Sequence, residues 1–299
     1  MNLILLDSPH WRDYELLDSG NGLKLERFGA YRFVRPEAQA IWQNRLPEAD
    51  WREAEAVFKP TSEESGGHWD VRKKLRERWE MRYPLPGALP LKMWTMTTPG
   101  RHLGVFPECA AHWDWMAEKI IASQRPVRVL NLFGYTGLGS LAAASAGASV
   151  THVDASKKSV GWARENQELS GLADKPIRWI VDDALKFVER EARRGAQYEA
   201  IYLDPPKFGR GPKGEIWEVY QSLPALLEAC KAVLSPNPLF VVLTMYAVKA
   251  SGVHLYTTLD EMMRNYKGST EAGELVTKET SAGRLLSQAV FGRWQQAII

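Results

Sequence analysis

From residue 127 onward the chain alternates short apolar runs with helix-forming stretches, and this alternation constrains the fold more than any other feature. Residues 127–132 read as a buried strand, followed by a glycine turn and a helix of small residues at 138–146. Further strands are expected at 149–153, 177–181, 198–203 and 239–244, with helices at 157–170, 185–194 and 215–234. Two more strands are expected at 274–279 and 285–294. Strands alternating with helices build a parallel sheet through right-handed crossovers. Ligands of such sheets bind beyond the carboxyl ends of the strands. At those ends stand the turn LNLFGYTGLGS (130–140), Asp154, the pair Asp182-Asp183, and Asp204 within YLDPPKF (202–208).

Each of these residues has a physical use at a strand end. Gly134, Gly137 and Gly139 let the backbone approach a ligand with no Cβ in the way. Their spacing is GxxGxG, which departs from the GxGxxG dinucleotide fingerprint and discounts an NAD-linked oxidoreductase. Taken alone, the glycines are also compatible with a tight turn that holds nothing. Asp154, about 20 residues later, is placed to accept hydrogen bonds from ribose hydroxyls. In the next pair, Asp183 is the candidate for an adenine amino group, with Asp182 facing solvent or capping the following helix. Pro205 and Pro206 restrict the backbone beside Asp204 and carry no N–H. The bland alternative there is a strand that ends at two prolines, with Phe208 packed in the core.

The segments LNLFGYTGLGS, HVDAS, VDDALKF and LDPPKF, in this order and spacing, resemble the class I S-adenosylmethionine-dependent methyltransferases. More narrowly, they are similar to a bacterial large-subunit ribosomal RNA methyltransferase family that carries an LDPPKF motif. The resemblance spans residues 104–294. It implies an α/β, Rossmann-like sheet of seven strands with the last one antiparallel, and S-adenosyl-L-methionine as cofactor. It further implies that Asn131, Phe133, Gly134, Tyr135, Thr136, Gly137 and Gly139 surround the methionine end. Asp154 and Ala155 would then take the ribose, and Asp182, Asp183 and Ala184 the adenine, with Asp183 on the amino group. In methyltransferases with such Asp/Asn-Pro-Pro motifs, the acidic residue and a proline carbonyl accept hydrogen bonds from a base amine while an aromatic stacks on the base. Carried over, that assigns catalysis to Asp204, Pro205, Pro206, Lys207 and Phe208. Lys207 stands where the pattern wants the aromatic, and it is a candidate for a substrate phosphate. Relatives that methylate cytosine C5 need a cysteine after the fifth strand. Leu243-Thr244-Met245-Tyr246 holds none there, so methylation of a nitrogen is favoured. Cys230 reads as a buried helix residue, and Cys109 has no assigned place.

Residues 1–106 differ in texture and are expected to form a small, β-containing extension that recognises the substrate, ahead of a methyltransferase domain at 107–299. A hairpin is expected from strands at 14–17 and 23–28 around Gly20-Asn21-Gly22, and another strand at 89–97. Loops are expected at 65–67 and 84–87. Residues 72–82 (RKKLRERWEMR) read as a basic helix whose Arg72, Lys73, Lys74, Arg76 and Arg78 are either phosphate contacts or a solvated face. No separate RNA-binding domain is recognisable in this region. Residues 103–116 are expected to border the cofactor, with Phe106 and Trp113 as lining candidates. Most of the twelve tryptophans precede residue 116, and core packing is the favoured use for them over base stacking.

Composition narrows the class further. Among 299 residues, 45% are hydrophobic and 25% charged, as in an ordinary globular protein. The longest apolar run, 239–248, is far below the ~20 residues that span a bilayer, so no membrane partner is expected. Two distant cysteines offer neither a disulfide framework nor a metal site, which places the chain in a reducing cytoplasm. Net charge is +2 and the pI about 8.4, only mildly favourable to nucleic acid. The leading expectation is a methyltransferase acting on RNA, ribosomal RNA above all. A protein or small-molecule methyltransferase and a noncatalytic RNA-binding factor are the alternatives.

Overall fold

The computed structural model describes residues 3–61, 66–246 and 248–297. In chain order come β1 (Leu3–Leu6), β2 (Tyr14–Gly20), β3 (Leu23–Phe28), β4 (Tyr31–Pro36), α1 (Glu48–Arg52), β5 (Ala56–Pro60) and β6 (Gly67–Val71). They are followed by β7 (Trp79–Tyr83), β8 (Leu91–Thr95), a 3-10 turn at Pro107–Cys109 and α2 (Ala110–Ser123). The alternating part comprises β9 (Arg128–Leu132), α3 (Leu138–Ser145), β10 (Ser149–Asp154), α4 (Lys157–Leu169), β11 (Ile177–Val181), α5 (Ala184–Arg193) and β12 (Ala200–Leu203). Next are β13 (Phe208–Arg210), β14 (Ile216–Glu218), α6 (Val219–Ala232), β15 (Phe240–Met245), α7 (Gly252–Met263), β16 (Gly268–Lys278) and β17 (Leu285–Gln296).

Eight strands form one sheet in the order β1-β16-β17-β15-β12-β9-β10-β11. Seven of them are the expected Rossmann-like methyltransferase set, and β17 runs antiparallel to both of its neighbours. The eighth is an addition: β1 pairs in parallel with β16, from Leu3↔Ala272 to Leu6↔Leu275. Strand side chains alternate between the faces, and each face has its own core. Val129, Val150, Tyr202 and Val242 pack under α2 and α3 together with the aromatic N-terminal region. Leu130, Leu132, Ile201, Val241 and Leu243 pack against α5, α6 and α7. No helix among the described residues is long and apolar enough to cross a membrane.

The N-terminal region carries a second sheet, β2-β3-β4-β5-β6, and the β7-β8 pair. The hairpin expected around Gly20-Asn21-Gly22 is there, formed by β2 and β3. None of the twelve tryptophans is exposed, in agreement with a packing role. Trp11, Tyr14, Phe28, Phe33, Trp69 and Trp79 form a chain of edge and stacked contacts at 5.0–6.1 Å. Trp11 continues it to Tyr83 and to Trp113 of α2.

Two expectations are corrected. Residues 72–78 form no helix, and residues 79–83 are strand β7, because Trp79, Met81 and Tyr83 alternate inward and pair with β8. Of the five cations there, Arg72 pairs with Asp70 and Lys73 with Glu53, while Arg78 pairs with Glu165 and lies over the Trp94 ring at 4.4 Å. The helix expected from 215 starts at Val219, after β14 has paired with β13. Helix α7, started by a Ser251–His254 capping box, was not anticipated. The loop signal at Ser65 and position Ala247 of the 239–248 run lie outside the described residues.

A buried ion pair ties the second sheet together. Arg35 grips Glu26 with two bonds of 2.7 Å, and Tyr14 Oη donates to the same carboxylate at 2.9 Å. Arg35 also donates to the Arg101 carbonyl at 3.2 Å, while Lys24 reaches Gln288 of β17 at 3.0 Å. Removing one member of such a pair strands a buried charge, whereas removing both does not. Glu26→Leu is expected to lower stability by about 3–5 kcal/mol, with most of the loss recovered in Glu26→Leu/Arg35→Met; urea unfolding of the two variants checks this.

Candidate active site

The sheet changes direction at β9. The chain leaves β9 for α3 and β10 on one side, and β12 pairs with β9 on the other. A crevice opens at such a switch point, above the carboxyl ends of the strands. A roomier concavity lies at the opposite strand ends, near Arg128, Ile177, Arg178 and Tyr198. The cleft at the switch point is smaller, and it brings together Asn131, Phe133–Thr136, Leu138, Gly139, Tyr202 and Asp204 with Val105, Phe106, Cys109 and Trp113.

The glycine turn is built by steric necessity. A Cβ on Gly134 would collide with the His152 ring, one on Gly137 would sit 2.7 Å from Ala163 Cβ, and one on Gly139 2.5 Å from the Tyr202 ring. Gly137 also has φ +88° and begins α3. Phe133 and Tyr135 have φ +58° and +48°, a left-handed conformation that non-glycine residues adopt rarely and that collects at functional sites. Surrounding bonds fix the turn. Tyr135 N–H donates to Asp154 Oδ2 at 2.8 Å, Thr136 Oγ1 donates to the Gly104 carbonyl at 2.7 Å, and Gly134 N–H donates to the Val153 carbonyl at 3.1 Å. Buried Asn131 donates to Ser140 Oγ at 2.8 Å, leaving its Oδ1 without a partner among the described residues.

The acidic residues divide by environment. Asp154 ends β10, beside half-buried Ala155, and takes backbone N–H groups on both oxygens, from Tyr135 and Ser156. Burial raises its carboxyl above the usual range, against those two bonds. At the next strand end the expected helix cap is reversed. Asp183 caps α5 by accepting from Lys186 N–H at 3.0 Å, and Asp182 accepts from Arg190 at 2.5 Å, next to buried Ala184.

Asp204 is the unusual group. Its Oδ1 is sealed from solvent and has no partner among the described residues. Burial, and then the neighbouring Glu108 charge, push its carboxyl up to about 8. Glu108 is itself buried and raised, so two acids are held toward neutrality beside the cleft. Cys109, which the sequence left without a place, lines the cleft with its Sγ 3.0 Å from Tyr246 Oη. Burial and the nearby Asp204 and Glu108 charges keep it a protonated thiol.

Beyond Asp204 the chain turns outward. Pro205 is buried and Pro206 exposed. The Pro206 carbonyl accepts from Trp217 Nε1 at 2.7 Å, and Lys207 Nζ lies 5.4 Å from the Phe208 ring. Phe208 is 58% exposed, which overturns a core role for it. The Trp217 ring packs on Phe133 at 4.8 Å, so the glycine turn and the Asp-Pro-Pro segment share one side chain. Glu108 and Trp217 were missed by sequence reading. A carboxylate and an indole show their roles only when burial and partners are known.

Two outcomes follow from this geometry. Gly137→Ala is expected to lower stability by roughly 1–3 kcal/mol in urea unfolding, from the strained φ and the Ala163 contact. The second concerns pH. An unfolded aspartate ionises near ~4, whereas Asp204 in the folded chain ionises near about 8. Between these values the folded chain holds the extra proton, so this group's contribution declines as pH rises, by up to about 1.4 kcal/mol per unit. Asp204→Asn is expected to match the wild type in stability near pH 4 and to exceed it by pH 8, as read by thermal unfolding across that range.

Comparison with known proteins places this site in a family. A family profile described as Conserved hypothetical protein 95 matches residues 110–243. The chain is 46% identical to a SAM-dependent methyltransferase of known structure from Agrobacterium tumefaciens, over 98% of this chain and 94% of that one, with a TM-score of 0.92. In fold alone it is similar to a Streptococcus mutans chain whose own assignment as a SAM-dependent methyltransferase is an inference (17% identity, 96% and 76% coverage, TM-score 0.68). Over 113 residues it is 41% identical to Ribosomal RNA large subunit methyltransferase K/L of Shewanella sp. strain ANA-3, covering 37% of this chain and 16% of that protein. The chain spans about a sixth of the length of the curated relatives it matches. A likeness that runs nearly the full length of the Agrobacterium structure settles the family: this chain belongs to the SAM-dependent methyltransferases, with S-adenosyl-L-methionine as its cofactor.

Proposed function

We propose that this protein methylates a nitrogen of a base in ribosomal RNA, in the cytoplasm, and that Asp204 positions that nitrogen. The observation that carries the reading is the sealed, unpartnered Asp204 Oδ1 at the switch point, two prolines before an exposed aromatic. A buried acceptor without a partner costs about 1–3 kcal/mol, and a base amine entering the cleft removes that cost. The partial likeness to a large-subunit ribosomal RNA methyltransferase supports RNA as the substrate class.

When bound, S-adenosyl-L-methionine supplies an electrophilic methyl group on a sulfonium. The residues fit such a cofactor: the turn lines the cleft with Asn131 and Asp204, and Asn131 Oδ1 lacks a partner among the described residues. In this reading Asn131 and the turn Phe133, Gly134, Tyr135, Thr136, Gly137 and Gly139 hold its methionine end. Asp154 and Ala155 take the ribose. Asp183 keeps one oxygen on its helix cap and offers the other to the adenine amino group, flanked by Asp182 and Ala184. Asp204 and the Pro205 carbonyl accept from the substrate amine, because the Pro206 carbonyl is already bound to Trp217. Phe208 stacks on the base and Lys207 meets a phosphate. Methyl transfer is an in-line displacement, so holding the nitrogen in line supplies much of the rate. Residues 1–106 serve substrate recognition and 107–299 the transfer.

One observation favours a second reading: Cys109 lines the cleft, where its thiolate would serve carbon methylation of cytosine. Its burial and its Tyr246 contact hold the thiol protonated, which ranks this reading second. Labelled-methyl transfer to ribosomal RNA from cells lacking the protein, followed by nucleoside mass spectrometry, separates the two. Asp204→Ala is expected to lower turnover by about 10²–10³ while cofactor affinity, read by calorimetry, stays within about threefold. An equal fall in both would show that Asp204 serves the cofactor instead.

A further inference from the structure

The β13–β14 hairpin has two faces with different occupants. Cross-strand partners share a face. Gly209 and Trp217 point inward, while Phe208, Glu218, Arg210 and Ile216 point outward. The inward face is fully engaged: Trp217 is buried against Phe133 and bonded to the Pro206 carbonyl. The outward face has no such cover. Phe208 is 58% and Ile216 78% exposed, a pair of large apolar side chains in water a few residues from Asp204.

Charge distinguishes what this face fits. Arg210 and Lys213 are exposed and have no ion pair among the described residues. The two nearby acids are both occupied: Glu215 is held by Lys186 at 2.6 Å, and Glu218 caps α6 by accepting from Gln221 N–H at 2.9 Å. A flat apolar pair flanked by unneutralised cations suits a strand of RNA, whose bases stack on apolar surface while its phosphates meet Arg and Lys.

We infer that the outward face of this hairpin is the RNA-gripping surface beside the active site, with Ile216 extending the Phe208 platform under a neighbouring base and Arg210 and Lys213 holding phosphates. The inference rests on the proposed RNA reading and adds to it the element that delivers the strand. Trp217 is the positioning residue, since it seats the hairpin on the glycine turn and on Pro206 at once.

The test uses the full chain, saturating S-adenosyl-L-methionine and large-subunit ribosomal RNA from cells lacking the protein. Arg210→Ala/Lys213→Ala is expected to raise KM for that RNA by about tenfold and to reduce the salt dependence of binding by about 0.7–0.9 per lost phosphate contact. Ile216→Ser is expected to raise KM without changing that slope. Cofactor affinity, measured on every variant, is expected to match the wild type, which shows that each has folded. If the wild type transfers methyl to the RNA and all variants match it in KM and slope, the hairpin is not the grip, and the RNA reading stands. If the wild type transfers nothing to this RNA, the RNA reading falls and the hairpin assignment falls with it.

Discussion

The structure depends on one constraint, the reversal of strand order at β9. Because α3 leaves β9 toward one face while the segment after β12 packs against the other, a cleft opens at the carboxyl ends of these two strands, bordered by Cys109 and Trp113. Two side-chain oxygens there, Asn131 Oδ1 and Asp204 Oδ1, are sealed and lack a partner among the described residues, the condition that buried polar groups almost always avoid. The glycines beside the cleft serve close packing, since a Cβ at Gly134, Gly137 or Gly139 would meet His152, Ala163 or Tyr202.

The alternating half of the fold was legible in the sequence, and the other half only in part, in the β2–β3 hairpin and in β8. Strands β9, β10, β12 and β15 are buried along nearly their whole length, so their apolar runs mark them, and the half-exposed edge strand β11 was still located to the residue. In the N-terminal sheet the rule breaks down. β3 reads LKLERF, yet Lys24 and Glu26 are buried, because they belong to the network around Arg35. Ions that satisfy each other look like surface to any hydropathy argument, and β4, with its own buried Arg35, went unrecognised for the same reason. The basic stretch at 72–82 failed differently. Its inward residues, Trp79, Met81 and Tyr83, alternate with period two, but the charges before them imposed a helical reading.

The site was legible as residue types and not as geometry. The glycines, Asp154, Asp183 and Asp204 stand at the ends of adjacent strands, as their order along the chain implied. Sequence could not tell which of Asp182 and Asp183 caps α5, since both precede the helix and only backbone direction decides. Nor could it place Cys109 against Tyr246, residues far apart in the chain that meet because α2 begins at the mouth of the cleft. Glu108 lay outside its reach as well, since its influence on Asp204 comes from burial that is shared across two sheets.

The edge strand β1 has a bearing on how this chain is made. Its pairing joins Leu3 to Ala272, the longest-range contact of the large sheet. Within the large sheet β1 pairs with β16 alone, so its ladder cannot form before β16 is in place, and contacts of such separation slow folding. Until then Leu3, Ile4, Leu5 and Leu6 are an open apolar strand with unpaired backbone, the form most prone to wrong association. Docking of β1 on β16 therefore adds the eighth strand of the sheet through pairings 269 residues apart in sequence, from Leu3 to Ala272.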